Sequence, residues 1–74
     1  MAASPSQLRA ARAMLGLSRE QAAHAAGLHL ETLRKAERGD PTLGTHSLEA
    51  LVGAYTARGI VFIGRCAVER RASS

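Results

Sequence analysis

Apolar positions recur along this chain with the period of a helix, and serines and glycines interrupt them at short intervals. Over residues 5–15, Leu8, Ala11, Arg12 and Leu15 fall on one helical face. Ser4 stands before them as an N-cap, Pro5 takes the first helical position, and Gln7 follows the cap by three residues, which predicts a capping box. Gly16 suits the left-handed residue past the helix end. The same grammar then repeats. Ser18 and Gln21 form a second cap pair, Leu17 and Ala22 occupy hydrophobic-staple positions, and a second helix runs to about Ala26 and stops at Gly27. A third helix starts near His29 or Leu30 and ends at Gly39. Asp40 to Gly44 reads as a loop. Thr45 or Ser47 caps a fourth helix, which presents Leu48, Leu51, Val52 and Tyr55 at helical spacing and stops at Gly59.

Beyond Gly59 the pattern changes. Ile60-Val61-Phe62-Ile63 is β-branched and aromatic, a strand signal. Gly64 marks a candidate bulge, Arg65 to Val68 a weaker continuation, and Glu69 to Ser74 a polar tail. The expected organisation is a helical domain over 1–59, a strand over 60–68 and a tail over 69–74. A lone strand leaves its own donors and acceptors unpaired. With no second strand evident, its cheapest partner is the same strand in another copy, which predicts a homodimer through Ile60, Val61, Phe62 and Ile63 with help from the fourth helix. A fifth helix, or a strand folded back on its own domain, is the alternative.

Composition narrows the chemistry. The 74 residues make one thin-cored domain, and alanine supplies much of the 46% apolar content. A net charge of +4 and a pI of about 10.7 favour a polyanionic partner, nucleic acid first. The single cysteine, Cys66, allows no internal disulfide and fits a reducing compartment; it reads as a packing or strand residue. No apolar run is long enough to span a bilayer, and the N-terminus has no signal pattern, so the expectation is a cytoplasmic, nucleoid-associated protein with no membrane partner. His24, His29 and His46 lie in separate contexts without base–orienter spacing, which argues against an enzyme. One cysteine and no His pair at i, i+4 argue against a metal, and no cofactor is expected. Scarce aromatics argue against binding single strands by stacking.

The second and third helices, joined through a glycine, have the makings of a helix-turn-helix unit. A close crossing needs a small side chain, which Ala23 supplies; the turn needs positive φ, which Gly27 tolerates. The inner face must be apolar, as Ala22, Ala26, Leu28, Leu33 and Ala36 are. With Leu33 and Ala36 turned inward, His29, Leu30, Glu31, Thr32, Arg34, Lys35 and Arg38 face out to varying degree.

Residues 7–57 resemble the Cro/C1-type, or XRE, helix-turn-helix family. The run LGLSREQAAHAAGLHLETLRKAERG, from Leu15 to Gly39, carries the likeness: a Gly-apolar-Ser start, alanine in helix two, glycine at the turn and Glu-X-Gly at the close of helix three. Ala22 stands where the family usually has leucine, and Leu30 where a polar residue is common. The resemblance implies a mainly α, four-helix, lambda-repressor-like domain, here with a short C-terminal β-strand. It further implies a regulator, a repressor in function class, that places residues 29–38 in the major groove of double-stranded DNA while helix two crosses the backbone.

His29, Glu31, Thr32 and Lys35 match the family's base-reading positions. Lys35 suits guanine O6/N7, Glu31 suits cytosine N4, and Leu30 and the Thr32 methyl suit a thymine methyl. Glu31 also has a plainer reading as an acid favoured in a first turn, and Leu30 as a packing residue. Arg19, with Ser18 at the same helix N-terminus, matches a phosphate clamp, and Arg34 and Arg38 are further phosphate contacts, with a solvated face as their plainer reading. Arg12 on an apolar face and Glu37 on the inner side of helix three match positions where the family places a partly buried ion pair; burying one alone is costly, so each implies the other. A rival reading is an antitoxin-like or anti-regulator protein whose main partner is another protein, docked along the 60–63 strand beside Arg70 and Arg71.

Overall fold

The computed structural model describes residues 3–64 and 67–71. Four helices, α1 (Pro5–Leu15), α2 (Arg19–Ala26), α3 (Leu30–Arg38) and α4 (Thr45–Thr56), precede two strands, β1 (Ile60–Ile63) and β2 (Ala67–Arg70). The serines set the helix starts. Ser4 Oγ accepts from the Gln7 amide at 3.2 Å while Gln7 Oε1 accepts from the Ser4 amide at 2.9 Å. Ser18 and Gln21 repeat the exchange at 3.1 and 2.8 Å. Two otherwise orphaned N–H groups are satisfied locally at each site.

The start of α4 differs from the expectation: neither Thr45 nor Ser47 caps it. Its N-cap is Gly44, extended at φ −74° and ψ 150°, with no side-chain hydrogen bond. Glycine at this position costs only a few tenths of a kcal/mol relative to a capping side chain. The helix therefore starts sooner and takes Thr45 into its first turn. At the other end the path tightens into i→i+3 bonds, Arg58 N–H to Tyr55 O and Gly59 N–H to Thr56 O, both 3.0 Å.

Small side chains build the core. Ala11 of α1, Ala22 and Ala23 of α2 and Ala36 of α3 are buried, so the helices approach closely. Leu8, Leu33, Leu51, Tyr55 and Ile60 fill the space between them, and Ala26, Leu28, Leu48 and Val52 pack half-buried around it. Each buried leucine or isoleucine contributes about 1.5–3 kcal/mol.

The C-terminal segment overturns the lone-strand expectation. β1 pairs antiparallel with β2 of the same chain, Ile60 opposite Arg70, Val61 opposite Glu69, Phe62 opposite Val68 and Ile63 opposite Ala67. Glu69 and Arg70 are ladder residues and not a polar tail. Gly64 is a turn residue at φ 60°, not a bulge. Arg65, Cys66 and residues 72–74 lie outside the described residues. Ile60 is 2% exposed and belongs to the core. Phe62 and Val68 pack half-buried on the same core, whereas Ile63 on the opposite face is 47% exposed.

α1 holds the hairpin. The Gln7 side chain is fully buried, and its Nε2 lies 3.0, 3.1 and 3.3 Å from the carbonyls of Ala67, Gly64 and Ile63. Near the far end of β2, Arg70 Nη1 donates to Met14 O at 3.3 Å, so the strand lies along the helix. Gly59 closes the base: its carbonyl accepts from the Arg71 amide at 2.8 Å. It sits at φ 92°, and a Cβ there would meet Arg71 O at 2.6 Å, so glycine is required.

Candidate nucleic-acid interface

Gly27, at φ 69° and ψ 32°, ends α2 and starts the turn into α3. Its amide donates to His24 O at 3.1 Å, and the Leu28 amide donates to Ala23 O at 2.8 Å. These bonds satisfy the last carbonyls of α2 and fix the exit direction of the chain. α3 is sharply two-faced. Leu33, Ala36 and Glu37 are buried; His29, Glu31, Arg34 and Arg38 are exposed; Leu30, Thr32 and Lys35 are half-buried, Leu30 against the core.

The buried edge of α3 is locked by charge. Arg12 Nε donates to Glu37 Oε2 at 2.6 Å, its Nη2 reaches Oε1 at 3.4 Å, and its Nη1 donates to Leu17 O at 3.1 Å. Arg19 Nε donates to Glu37 Oε1 at 3.2 Å. Arg9 Nη1 donates to the Glu37 carbonyl. Three arginines from α1 and α2 thus converge on one residue of α3, and the structure brings Arg12 and Glu37 together as an ion pair. Arg19, assigned from sequence to a phosphate, uses Nε on Glu37 while half of its side chain stays exposed. Tyr55 is buried in the same core, and its hydroxyl has no hydrogen-bond partner among the described residues. Burial pushes its phenol up to about 12; the Glu37 carboxylate adds to the rise and Arg12 opposes it.

The outer face of α3 carries looser pairs. Glu31 meets Arg38 at 3.2 Å and Arg34 at 4.0 Å, and Arg38 also reaches Asp40 at 3.4 Å. Hydrogen bonds from the Thr42 hydroxyl and amide hold the Asp40 carboxyl below its usual range, and Arg38 adds to the effect. Exposed pairs of this kind contribute little to stability. Ser18 is exposed at the N-terminus of α2 with its hydroxyl engaged on the Gln21 amide. An open cleft of about 330 Å³ lies among Arg9, Arg19, Arg34, Glu37 and Arg38.

Two residues escaped the sequence reading. Arg9 precedes Arg12 by three, a spacing that places both on one face of a helix, and that was the available signal. Gln7 was legible as a cap partner, but nothing in the sequence pointed to its second contact with the hairpin turn. Among the described residues, no group of His, Cys, Asp and Glu is placed to hold a metal ion.

A family model described as helix-turn-helix matches residues 8–56, from α1 to the last residue of α4. The chain belongs to the Cro/C1-type (XRE) helix-turn-helix family. As an XRE-family domain it is a helix-turn-helix protein of the DNA-binding regulator type. Its β-hairpin lies beyond the matched span. None of the curated proteins compared matches the chain. No helix among the described residues of this XRE-family domain is long and apolar enough to cross a membrane.

Proposed function

We propose that this XRE-family protein is a sequence-specific regulator of transcription, a repressor that acts as a homodimer on double-stranded DNA. The carrying observation is the division of α3: Leu33, Ala36 and Glu37 anchor it while His29, Glu31, Thr32, Arg34, Lys35 and Arg38 remain at the surface. In this reading α3 enters the major groove. His29, Leu30, Glu31, Thr32 and Lys35 meet base edges, with Lys35 on guanine and Glu31 on cytosine N4 once it leaves Arg34 and Arg38. Ser18, Arg19, Arg34 and Arg38 meet phosphates, and each good bidentate base contact discriminates by about 1–3 kcal/mol.

The outer edge of β1 supports the homodimer. β2 pairs with one side of β1, and among the described residues no strand pairs with the other. Beside it lies an apolar groove of about 410 Å³ lined by Ala3, Val52, Thr56, Ile60, Val61 and Phe62. A second β1 added there would protect the edge and set two copies of α3 for half-sites about one helical turn, roughly 34 Å, apart. The same groove suits a strand of a different protein, the basis of the rival reading.

Selection from random duplex DNA tests the function. A single enriched motif is expected, with Lys35→Ala relaxing it at one position and Arg34→Ala weakening binding to all sequences alike. Failure of the unmodified protein to enrich any sequence, together with a salt-insensitive complex with another protein, would favour the rival.

A further inference from the structure

We propose that the arginine cleft between α1, α2 and α3 seats one phosphate group of the DNA backbone, and that Arg9, on α1 and outside the helix-turn-helix unit, is one of its ligands. This rests on the DNA-binding reading above and deepens it. Four arginines, Arg9, Arg19, Arg34 and Arg38, line the cleft against one carboxylate, Glu37. That carboxylate is already shared with Arg12 and Arg19, so positive charge remains in excess. A phosphate complements such an excess with several charge-assisted hydrogen bonds at once.

The site is partly built before any ligand arrives. Arg9 holds the Glu37 carbonyl and Arg19 holds the Glu37 carboxylate, each by one of a guanidinium's five N–H donors. Their positions are therefore set in advance, which lowers the ordering cost of binding. Arg34 and Arg38 complete the wall, and their exposed pairs with Glu31 yield easily to a phosphate. Both also belong to the outer face of α3, so a phosphate in the cleft and bases beneath α3 come from the same duplex. A free phosphoanion has the same chemistry and is an outcome of the test.

The experiment is the salt dependence of binding to a mixed-sequence duplex, read by fluorescence anisotropy. Unmodified protein is compared with Arg9→Gln, Arg9→Lys, Arg34→Gln and a control, Arg71→Gln, which removes the same charge from an exposed site after β2. Losing one phosphate contact lowers the slope of log K against log salt by about 0.9. Arg9→Gln and Arg34→Gln each show that drop, Arg9→Lys restores most of the slope, and Arg71→Gln keeps it. Melting curves accompany each variant because Arg9 also ties α3; should Arg9→Gln unfold, Arg34→Gln and Arg9→Lys still read the cleft, and an unmodified slope in Arg34→Gln overturns the proposal. An unmodified slope in folded Arg9→Gln overturns it and leaves DNA binding intact. Absence of salt-dependent binding by the unmodified protein overturns the DNA reading itself. Pyrophosphate titrated without DNA separates the sources: heat protection that Arg9→Gln abolishes, with equal duplex slopes, assigns the cleft to a free phosphoanion and overturns the backbone assignment.

Discussion

Glu37 is 4% exposed, and its carboxylate receives Arg12 and Arg19 while its carbonyl receives Arg9. Removing it would leave the largely buried Arg12 guanidinium, 17% exposed, without its anion. Breaking a buried pair from one side costs far more than the pair contributes, because the remaining charge is stranded. Glu37→Ala is therefore expected to destabilise the fold by about 3 kcal/mol, read as a lowered urea midpoint; an unchanged midpoint contradicts the account. Tyr55 gives a second reading of the same interior. It is the chain's single tyrosine, so its ionisation can be followed alone by ultraviolet absorbance. Its folded value of about 12 lies above the ordinary 10.0. Between those values the unfolded chain has lost a proton that the fold retains, so stability falls as pH rises from about 10 towards 12. The expected midpoint is near 12, or coincides with alkaline unfolding. Ionisation near 10 with the fold intact contradicts the burial of the ring.

Among the elements, the hairpin depends most on a single side chain. Gln7→Glu tests that dependence selectively, since Oε1 still accepts from the Ser4 amide while the donor facing three carbonyls becomes an acceptor. Hydrogen exchange is expected to quicken at amides of β1 and β2 by tenfold or more, about 1.4 kcal/mol of lost protection, with α1 amides much less affected; equal protection throughout contradicts the clamp. The contrast between α1 and the hairpin also shows what a sequence makes legible. Ser4 with Gln7 and Ser18 with Gln21 act over three residues, so their pattern is complete within a short window. Gly27 is similarly local, because its φ is demanded by its own turn. The pairing of β2 is not local in this sense. Ala67-Val68-Glu69-Arg70 has weak strand propensity and only Val68 turned to the core, so its partner decides its state. Arg9 is harder still, since its target lies 28 positions away on another helix and its role depends on how α1 crosses α3.

At the scale of the whole molecule, two surfaces stand apart in character. The cations of α1, α2 and α3 gather around Glu37, and the apolar groove runs between α4 and β1. A basic face for DNA and an apolar edge for a second copy are compatible with a dimer that presents both recognition helices together. Light scattering at micromolar concentration is expected to give twice the mass of one chain. Ile63→Lys, at a position already 47% exposed, is expected to return it to a monomer with its helical circular dichroism preserved. A monomeric unmodified protein would contradict the dimer.

The Gln7 clamp also bears on how the protein is made. Gln7 is synthesised 60 residues before Ala67, whose carbonyl is the last of the three it holds. A nascent chain can wind α1 and cap it long before that amide finds its acceptors. Emergence of the hairpin, and not helix formation, then sets the moment at which the fold is sealed. A message truncated just after α4 would yield four helices whose Gln7 carboxamide lacks all three of its hairpin acceptors, a product suited to early capture by proteolysis.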